Sequence, residues 1–270
     1  MNNKLSFVTA NLVAREVDYN MWLGWKQGEM ATNNYFRDEK SFKNRFDMLV
    51  QEIVGAGFSN IDLWSAHLNP KWATHQHIKN AIEILERYNV KVVSLAGKFG
   101  DNLSEFESYC ALANNLSVPL LGGIAPVVFS SPPETIRLLE KYNLKLAVEN
   151  HPEKTPVEVL NKLKSLNSKL IGTTVDTGWY ATHGYDASLA ILQLAKYVYH
   201  VHFKDVTSEG THITCKLGDG ILPVRQCLSA LNNIGYKGVI SIEHEPETRN
   251  PFVECRASAE LLQSLLNRSD

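Results

Sequence analysis

Two hydrophobic patterns alternate along the chain. Short runs rich in β-branched and aromatic residues are each followed by a longer stretch whose apolar positions recur every three or four residues. The first kind reads as buried strands and the second as amphipathic helices packed over them. Residues 5–10 (LSFVTA) form the first expected strand. A helix is expected over 41–55, with Phe42, Phe46, Leu49, Val50 and Ile53 on one stripe. The second strand is 60–64, and its helix covers 74–88 with Ile78, Ala81, Ile82 and Leu85 at helical spacing. The third strand is 90–95, with a helix from Leu103. The fourth is short, near 119–122, and Pro132 and Pro133 open its helix, since proline is tolerated in a first turn. Strands at 144–149, 171–176, 198–203 and 239–243 follow, and a helix over 254–266 closes the series.

Strands that alternate with helices imply a parallel sheet, and eight such units are the number that closes a (β/α)8 barrel. An open nucleotide-binding sheet would show a glycine-rich turn after its first strand. Here that turn reads Thr9-Ala10-Asn11-Leu12, without glycine. No linker, low-complexity tract or tail of like charges interrupts the pattern, so one barrel domain is expected over residues 1–270. The insert at 11–38, with Trp22, Trp25 and Tyr35, is long for a loop between strand and helix. Loops of that length are commonly lids or binding loops.

Composition narrows the partners. A formal net charge of −2 offers no basic balance for nucleic acid, so none is expected as a partner. No stretch approaches the roughly 18 apolar residues of a membrane span. The opening residues lack the apolar core of a signal peptide. The four cysteines (Cys110, Cys215, Cys227 and Cys255) form no C-x-x-C pair, as in a reduced protein. The expectation is a cytoplasmic protein acting on a small molecule.

In such a barrel the chemistry lies at the C-terminal ends of the strands. The fifth strand ends at Glu149 (AVENHP), the sixth at Asp176 (TTVDTG) and the eighth at Glu243 (SIEHEP), while the seventh carries His202 (HVHFKD). A carboxylate ending a buried strand is costly unless it is compensated. A single acidic residue there is ordinarily a helix cap. Potential ligands on four consecutive strands point instead to one bound cation. Three carboxylates and an imidazole suit Mn²⁺ first, with Mg²⁺, Co²⁺ and Zn²⁺ open. On a six-coordinate ion they leave positions for water or substrate oxygens.

The motifs AVENHP, VDTGWYATHGYD, HVHFKDV, LGDGILP and SIEHEP resemble the xylose-isomerase-like barrel superfamily, particularly its sugar phosphate isomerases/epimerases. Ketose 3-epimerases, hydroxypyruvate isomerase, inosose dehydratase, dehydroshikimate dehydratase and endonuclease IV are relatives. The resemblance covers nearly the whole chain and is densest from Lys145 onward. It implies that Glu149, Asp176, His202 and Glu243 are metal ligands and that Glu149 and Glu243 double as the acid/base pair. Abstracting a proton beside a carbonyl needs a base within reach and a cation on the oxygen that becomes an enediolate. The implied activity is isomerisation or epimerisation of a small sugar, keto-sugar or polyol derivative. A lyase starts with the same abstraction, so a dehydratase or an enzyme eliminating from a 3-keto-sugar stays open. The resemblance also implies a homodimer.

One departure stands out. Epimerases and endonuclease IV place a histidine three residues after the aspartate, and here that position is Trp179. His183 in YATHG is the expected stand-in. Trp179 and Thr214 also replace histidines that endonuclease IV uses for further metals, so one metal and no DNA repair activity are expected.

Candidates for substrate contact are His67 after the second strand, Lys98 after the third, His151, His183, Lys204 and Trp179. Each has a plain alternative as a loop histidine, a solvated lysine or a packed aromatic. His200 faces the same way as His202 and is expected to be a buried structural residue one layer lower. By the same alternation His244 faces away from the axis, and Glu245 sits at the rim. Asp205 reads as structural, and the Leu217-Gly218-Asp219-Gly220 turn as part of the rim. No arginine clamp for phosphate is evident, so a neutral sugar derivative suits the site at least as well as a phosphorylated one.

Overall fold

The computed structural model describes residues 5–267, so the domain ends expected at 1 and 270 lie outside the described residues. Eight parallel strands close into a barrel: β1 Leu5–Val8, β2 Asn60–Trp64, β3 Lys91–Lys98, β4 Leu120–Ile124, β5 Lys145–Glu149, β6 Ile171–Asp176, β7 Val198–Phe203 and β8 Ile240–Ile242. They pair in sequence order, and β8 returns to β1 through Leu5↔Ile240, Ser6↔Ser241 and Phe7↔Ile242. This is the (β/α)8 barrel that the alternating pattern predicts. Helices ring it, among them Glu39–Gly55, His75–Arg87, Leu103–Asn115, Pro132–Lys141, Pro156–Leu166, Val224–Asn233 and Phe252–Asn267. The stripe of Phe42, Phe46, Leu49, Val50 and Ile53 is fully buried against the barrel wall.

Four strand ends differ from expectation: β4 runs two residues further, to Ile124, beside an extended β3, and the other three have local reasons. β1 stops at Val8, because Thr9–Leu12 winds into a 3-10 turn. There the Asn11 side chain continues the seam that the backbone abandons. Its Nδ2 donates to the Ile242 carbonyl at 3.0 Å, and its Oδ1 accepts from the His244 amide at 2.8 Å. β3 runs on to Lys98 through Gly97, which pairs with Gly123 of β4. A Cβ at Gly123 would lie 2.1 Å from the Gly97 carbonyl, so only glycine permits the two backbones to approach there. β8 is assigned only to Ile242, although the Glu243 amide still donates to Phe203 O at 3.1 Å. The insert holds two 3-10 turns and the helix Trp25–Phe36 rather than a bare loop.

Strand alternation sorts the side chains into an outer and an inner set. Phe7, Ile61, Leu95, Leu121, Leu146 and Val201 belong to the buried apolar core between sheet and helices. The inner set stacks in layers. The lower layer is polar and centres on Asp62. Its carboxylate accepts from Ser6 Oγ at 2.6 Å, Ser241 Oγ at 2.6 Å and Ser94 Oγ at 2.5 Å, and meets His200 Nε2 at 2.5 Å. Burial opposes the charge on Asp62, but His200, His202 and the Ser241 hydrogen bond outweigh it and hold the carboxyl far below its usual range. His200 is therefore the structural histidine its spacing suggests.

Removing one partner from a buried pair strands the other. Asp62→Asn is accordingly expected to destabilise the barrel by about 3–5 kcal/mol. Asp101→Asn, which breaks only an exposed pair with Lys98, should cost under about 1 kcal/mol. Guanidinium unfolding of both variants makes the comparison, and equal midpoints would count against a structural role for the Asp62 network.

Candidate metal centre

Two residues above Thr174, His200 and Ser241 on the same faces come Asp176, His202 and Glu243, and Glu149 ends the neighbouring β5. All four line one cavity of about 560 Å³ at the C-terminal mouth of the barrel. His202 Nδ1 lies 2.7 Å from Glu149 Oε1 and 3.5 Å from Glu243 Oε2. Glu149, His202 and Glu243 each offer a ligand atom within 4.8 Å of the others, and so do Glu149, His151 and Asp176. Glu149 is common to both groups, and Asp176 ties the second to the backbone. Its Oδ1 accepts from the Trp179 amide at 3.0 Å, capping the helix Thr177–Thr182. Its Oδ2 meets His151 Nε2 at 3.0 Å and Lys204 Nζ at 3.3 Å. Cap and site residue are thus the same side chain. The Asn150 amide clips the ends of β5 and β6 together, accepting from Asp176 N at 2.7 Å and donating to Asp176 O at 3.2 Å.

Lys204 is the cation nearest the cluster. Its Nζ is 3.3 Å from Asp176, 3.1 Å from Glu243 and 3.0 Å from Glu245. Burial works against its charge, yet these carboxylates raise its pKa well above the usual lysine value. For Asp176, burial is outweighed by Lys204 and His151, so its carboxyl is held low. For Glu149, burial is outweighed by His202 and His151, again holding the carboxyl below its usual range. Burial also disfavours a charged His202, but Glu243 and Glu149 together push its pKa up to about 10. Glu243 goes the other way: burial, with Glu245 adding repulsion, drives its carboxyl well above the usual range despite Lys204 and His202. The cluster thus favours a protonated His202 and works against a charge on Glu243.

The donor set fits a divalent ion. Glu243 Oε2 is buried and, although in ion-pair range of Lys204, accepts no well-formed hydrogen bond. A dication placed among Glu149, Asp176, His202 and Glu243 would satisfy that oxygen and take over the compensation that a protonated His202 supplies. Oxygen-rich donors with one imidazole match Mn²⁺, Mg²⁺, Co²⁺ and Zn²⁺.

The other sequence candidates divide. Lys204 stands in the cluster. His151 and Trp179 line the cavity, their rings 4.2 Å apart. Trp179 is fixed by its indole N–H donating to Glu153 O at 2.9 Å. Lys98 lines the rim, half-exposed, and pairs with Asp101 at 2.7 Å. Two expectations fail. His67 is buried away from the cavity, its ring 5.0 Å from Phe36 and 5.6 Å from Trp64, with Nδ1 at 3.2 Å from Thr9 Oγ1. The turn in which His67 N donates to Trp64 O carries the ring out of the mouth. Burial first, then Arg15, hold its pKa well below 6.5, so it is neutral. His183 does not take the position of the missing histidine either. It sits edge-on to Trp179 at 4.7 Å and is not part of the cavity lining, because the indole stands there instead. His212 was not singled out from the sequence, yet it lines the cavity and stacks on Trp179 at 5.1 Å. It arrives on the loop between the paired segments Asp205–Val206 and Thr214–Cys215.

The remaining rim residues behave as their positions suggest. Asp205 accepts from the amides of Gly218, Gly220 and Leu222 at 2.9–3.1 Å, which folds the glycine turn onto it. His244 turns outward to Glu254 at 2.8 Å. Among the described residues no helix is long and apolar enough to cross a membrane.

Comparison with known proteins agrees with the fold. The family model described as "Xylose isomerase-like TIM barrel" matches residues 14–265. Inosose dehydratase of Klebsiella pneumoniae is 26% identical over 289 residues, covering 85% of this chain and 91% of that protein. The crystal structure of the IOLI protein with a binding zinc atom superposes with a TM-score of 0.72 at 17% identity, covering 98% of each chain. L-ribulose 3-epimerase gives a TM-score of 0.72 at 15% identity, covering 99% of this chain and 95% of that one. At such identities the structural likeness speaks to the fold.

Since a metal must displace the proton on His202, its binding releases protons. A raised pKa means the imidazole holds its proton more tightly, so apparent metal affinity should climb as pH rises from 6 toward the His202 value of about 10. Calorimetric titration of Mn²⁺ in buffers of different ionisation enthalpy reads both effects. An affinity flat between pH 6 and 9, with no proton release, contradicts the assigned charge states.

Proposed function

The chain belongs to the xylose isomerase-like TIM barrel family, and from that premise we propose that it is a divalent-metal-dependent isomerase or epimerase of a small sugar, keto-sugar or polyol derivative. The observation that carries the reading is the convergence of two carboxylates, Glu149 and Glu243, on His202 at the base of one cavity. Glu149, Asp176, His202 and Glu243 would hold the ion, Mn²⁺ before Mg²⁺, Co²⁺ or Zn²⁺. When bound, the ion polarises a substrate carbonyl and accepts the charge that builds on its oxygen as the neighbouring proton leaves.

The protein's own residues supply the rest. Glu149 and Glu243 both face the Nδ1 edge of the His202 imidazole, and in the proposed reaction a substrate carbon presents one face to each. One carboxylate takes the proton from the carbon beside the carbonyl; the other, having taken up a proton from water, delivers it to the opposite face, and the first then gives its proton to solvent. Lys204 shares its charge among Asp176, Glu243 and Glu245, and steadies the carboxylates through the proton transfers. Trp179, braced between His151 and His212, walls the site and keeps water off one side of the substrate.

A second reading, a lyase on the same site, is favoured by one observation. His151 faces the cavity with its pKa raised: burial opposes its charge, but Glu149 and Asp176 outweigh burial. A protonated imidazole there can protonate a departing hydroxyl, which elimination requires and epimerisation does not.

The test is to incubate Mn²⁺-loaded protein with α-hydroxy-ketone sugars in D₂O and follow deuterium at the carbon beside the carbonyl by NMR. Exchange is expected, and Glu149→Gln and Glu243→Gln should each slow it by about 10²–10⁴-fold. An exchanged epimer supports the first reading, and a dehydrated product the second. Metal-loaded protein that exchanges no proton in any such ketone would remove both.

A further inference from the structure

The mouth of the barrel is divided between two chemistries. The top inward layer of β5–β8 is Glu149, Asp176, His202 and Glu243. In the same layer β1–β4 place Val8, Trp64, Ala96 and Ile124, all lining the same cavity. Met21 and Trp25 of the insert extend this apolar half, and Trp25 meets Trp64 edge-on at 5.4 Å. The insert packs closely on itself, since a Cβ at Gly28 would lie 2.3 Å from the Val13 carbonyl.

Such a wall is a poor partner for a free sugar. A monosaccharide presents hydroxyls around its ring, and one aromatic can take a sugar's C–H face. Val8, Met21, Ala96 and Ile124 offer no hydrogen bond to hydroxyls that leave water to meet them, so those bonds go unmade. The cavity is also roomy: about 560 Å³ falls in the range typical of drug-sized ligands. Nor does the polar half invite phosphate. Glu245 and Glu247 join the ligand carboxylates in the lining, Glu29 adds a carboxylate on the insert helix one turn from Trp25, Lys204 is committed to three carboxylates, and Lys98 at the end of β3 is paired with Asp101.

We propose that the substrate is bipartite: an unphosphorylated polyhydroxylated head at the Glu149–His202–Glu243 end, joined to an apolar substituent of about aromatic-ring size held by Trp25, Trp64 and Met21. The natural class is a glycoside-type derivative rather than a free sugar. The placing of the head rests on the metal-centre reading. The placing of the substituent rests on the apolar half of the cavity alone.

Equilibrium binding of methyl and phenyl β-D-glucopyranoside, unreactive probes that differ only in the substituent, tests it. Wild-type protein with Mn²⁺ is expected to bind the phenyl glycoside at least about tenfold more tightly, as burial of a ring predicts. Trp25→Ala, a change at a partly exposed residue, should erase that preference while circular dichroism and metal content match wild type. Equal affinities in the wild type, or a preference that survives both Trp25→Ala and Met21→Ser, would overturn the inference. Metal content measured on the same samples separates the two readings. A phenyl preference without bound metal supports the apolar subsite and sinks the metal centre, whereas bound metal without the preference does the reverse.

Discussion

Three carboxylates, Glu149, Asp176 and Glu243, end in one small buried volume, and their mutual repulsion has to be offset by something positive. Two like charges about 4 Å apart repel by about 4 kcal/mol even at an effective dielectric of 20. The protein meets part of this load with Lys204, whose ammonium reaches Asp176, Glu243 and Glu245. A proton held on His202 meets more of it. A cluster that keeps a proton where an imidazole would ordinarily be free of one has room for a dication, and it exchanges one kind of positive charge for another when the ion enters. The same compensation makes the site reactive, because a carboxylate that readily holds or gives up a proton is what acid/base work on a carbon requires.

The constraint reaches down the barrel. Side chains two apart share a face, so the residues that end the strands stand directly over those that fill the layer beneath. His202 lies above His200, and His200 leans on Asp62, which three serine hydroxyls also satisfy. His202 Nε2 points toward this floor, 4.0 Å from Asp62 Oδ1, while Nδ1 faces Glu149. A buried charge below the imidazole and carboxylates beside it give the ring a preferred orientation. The polar floor is thus part of the foundation of the mouth, and the apolar core outside the strands keeps it rigid.

Most of the architecture was legible because the strands are apolar runs, and those that deliver the cluster carry a chemically distinct residue at or near their ends. AVE, TTVD and YHVHF announce both the strand and the group it delivers. The failures are equally physical. Gly97 and Gly123 hide the end of β3, since close backbone approach calls for residues with no hydrophobic signature. Asp62 could have been read, as an acid flanked by Ile61 and Leu63 in the middle of a buried strand. His212, His183 and His67 could not, because their positions depend on turns. The loop that carries His212 is anchored by paired segments of two residues each, too short to leave any periodicity. Trp179, noted as a lost histidine, turns out to be a wall braced by three imidazoles.

Metal content of the purified protein, measured by elemental analysis for wild type beside a Glu149→Ala/Glu243→Ala double variant, tests the centre most directly. The account predicts about one divalent ion per chain in the wild type after loading and near none in the double variant, with both proteins folded. A wild-type protein that takes up no divalent ion under any loading condition, or a double variant that binds as much as wild type, would contradict it.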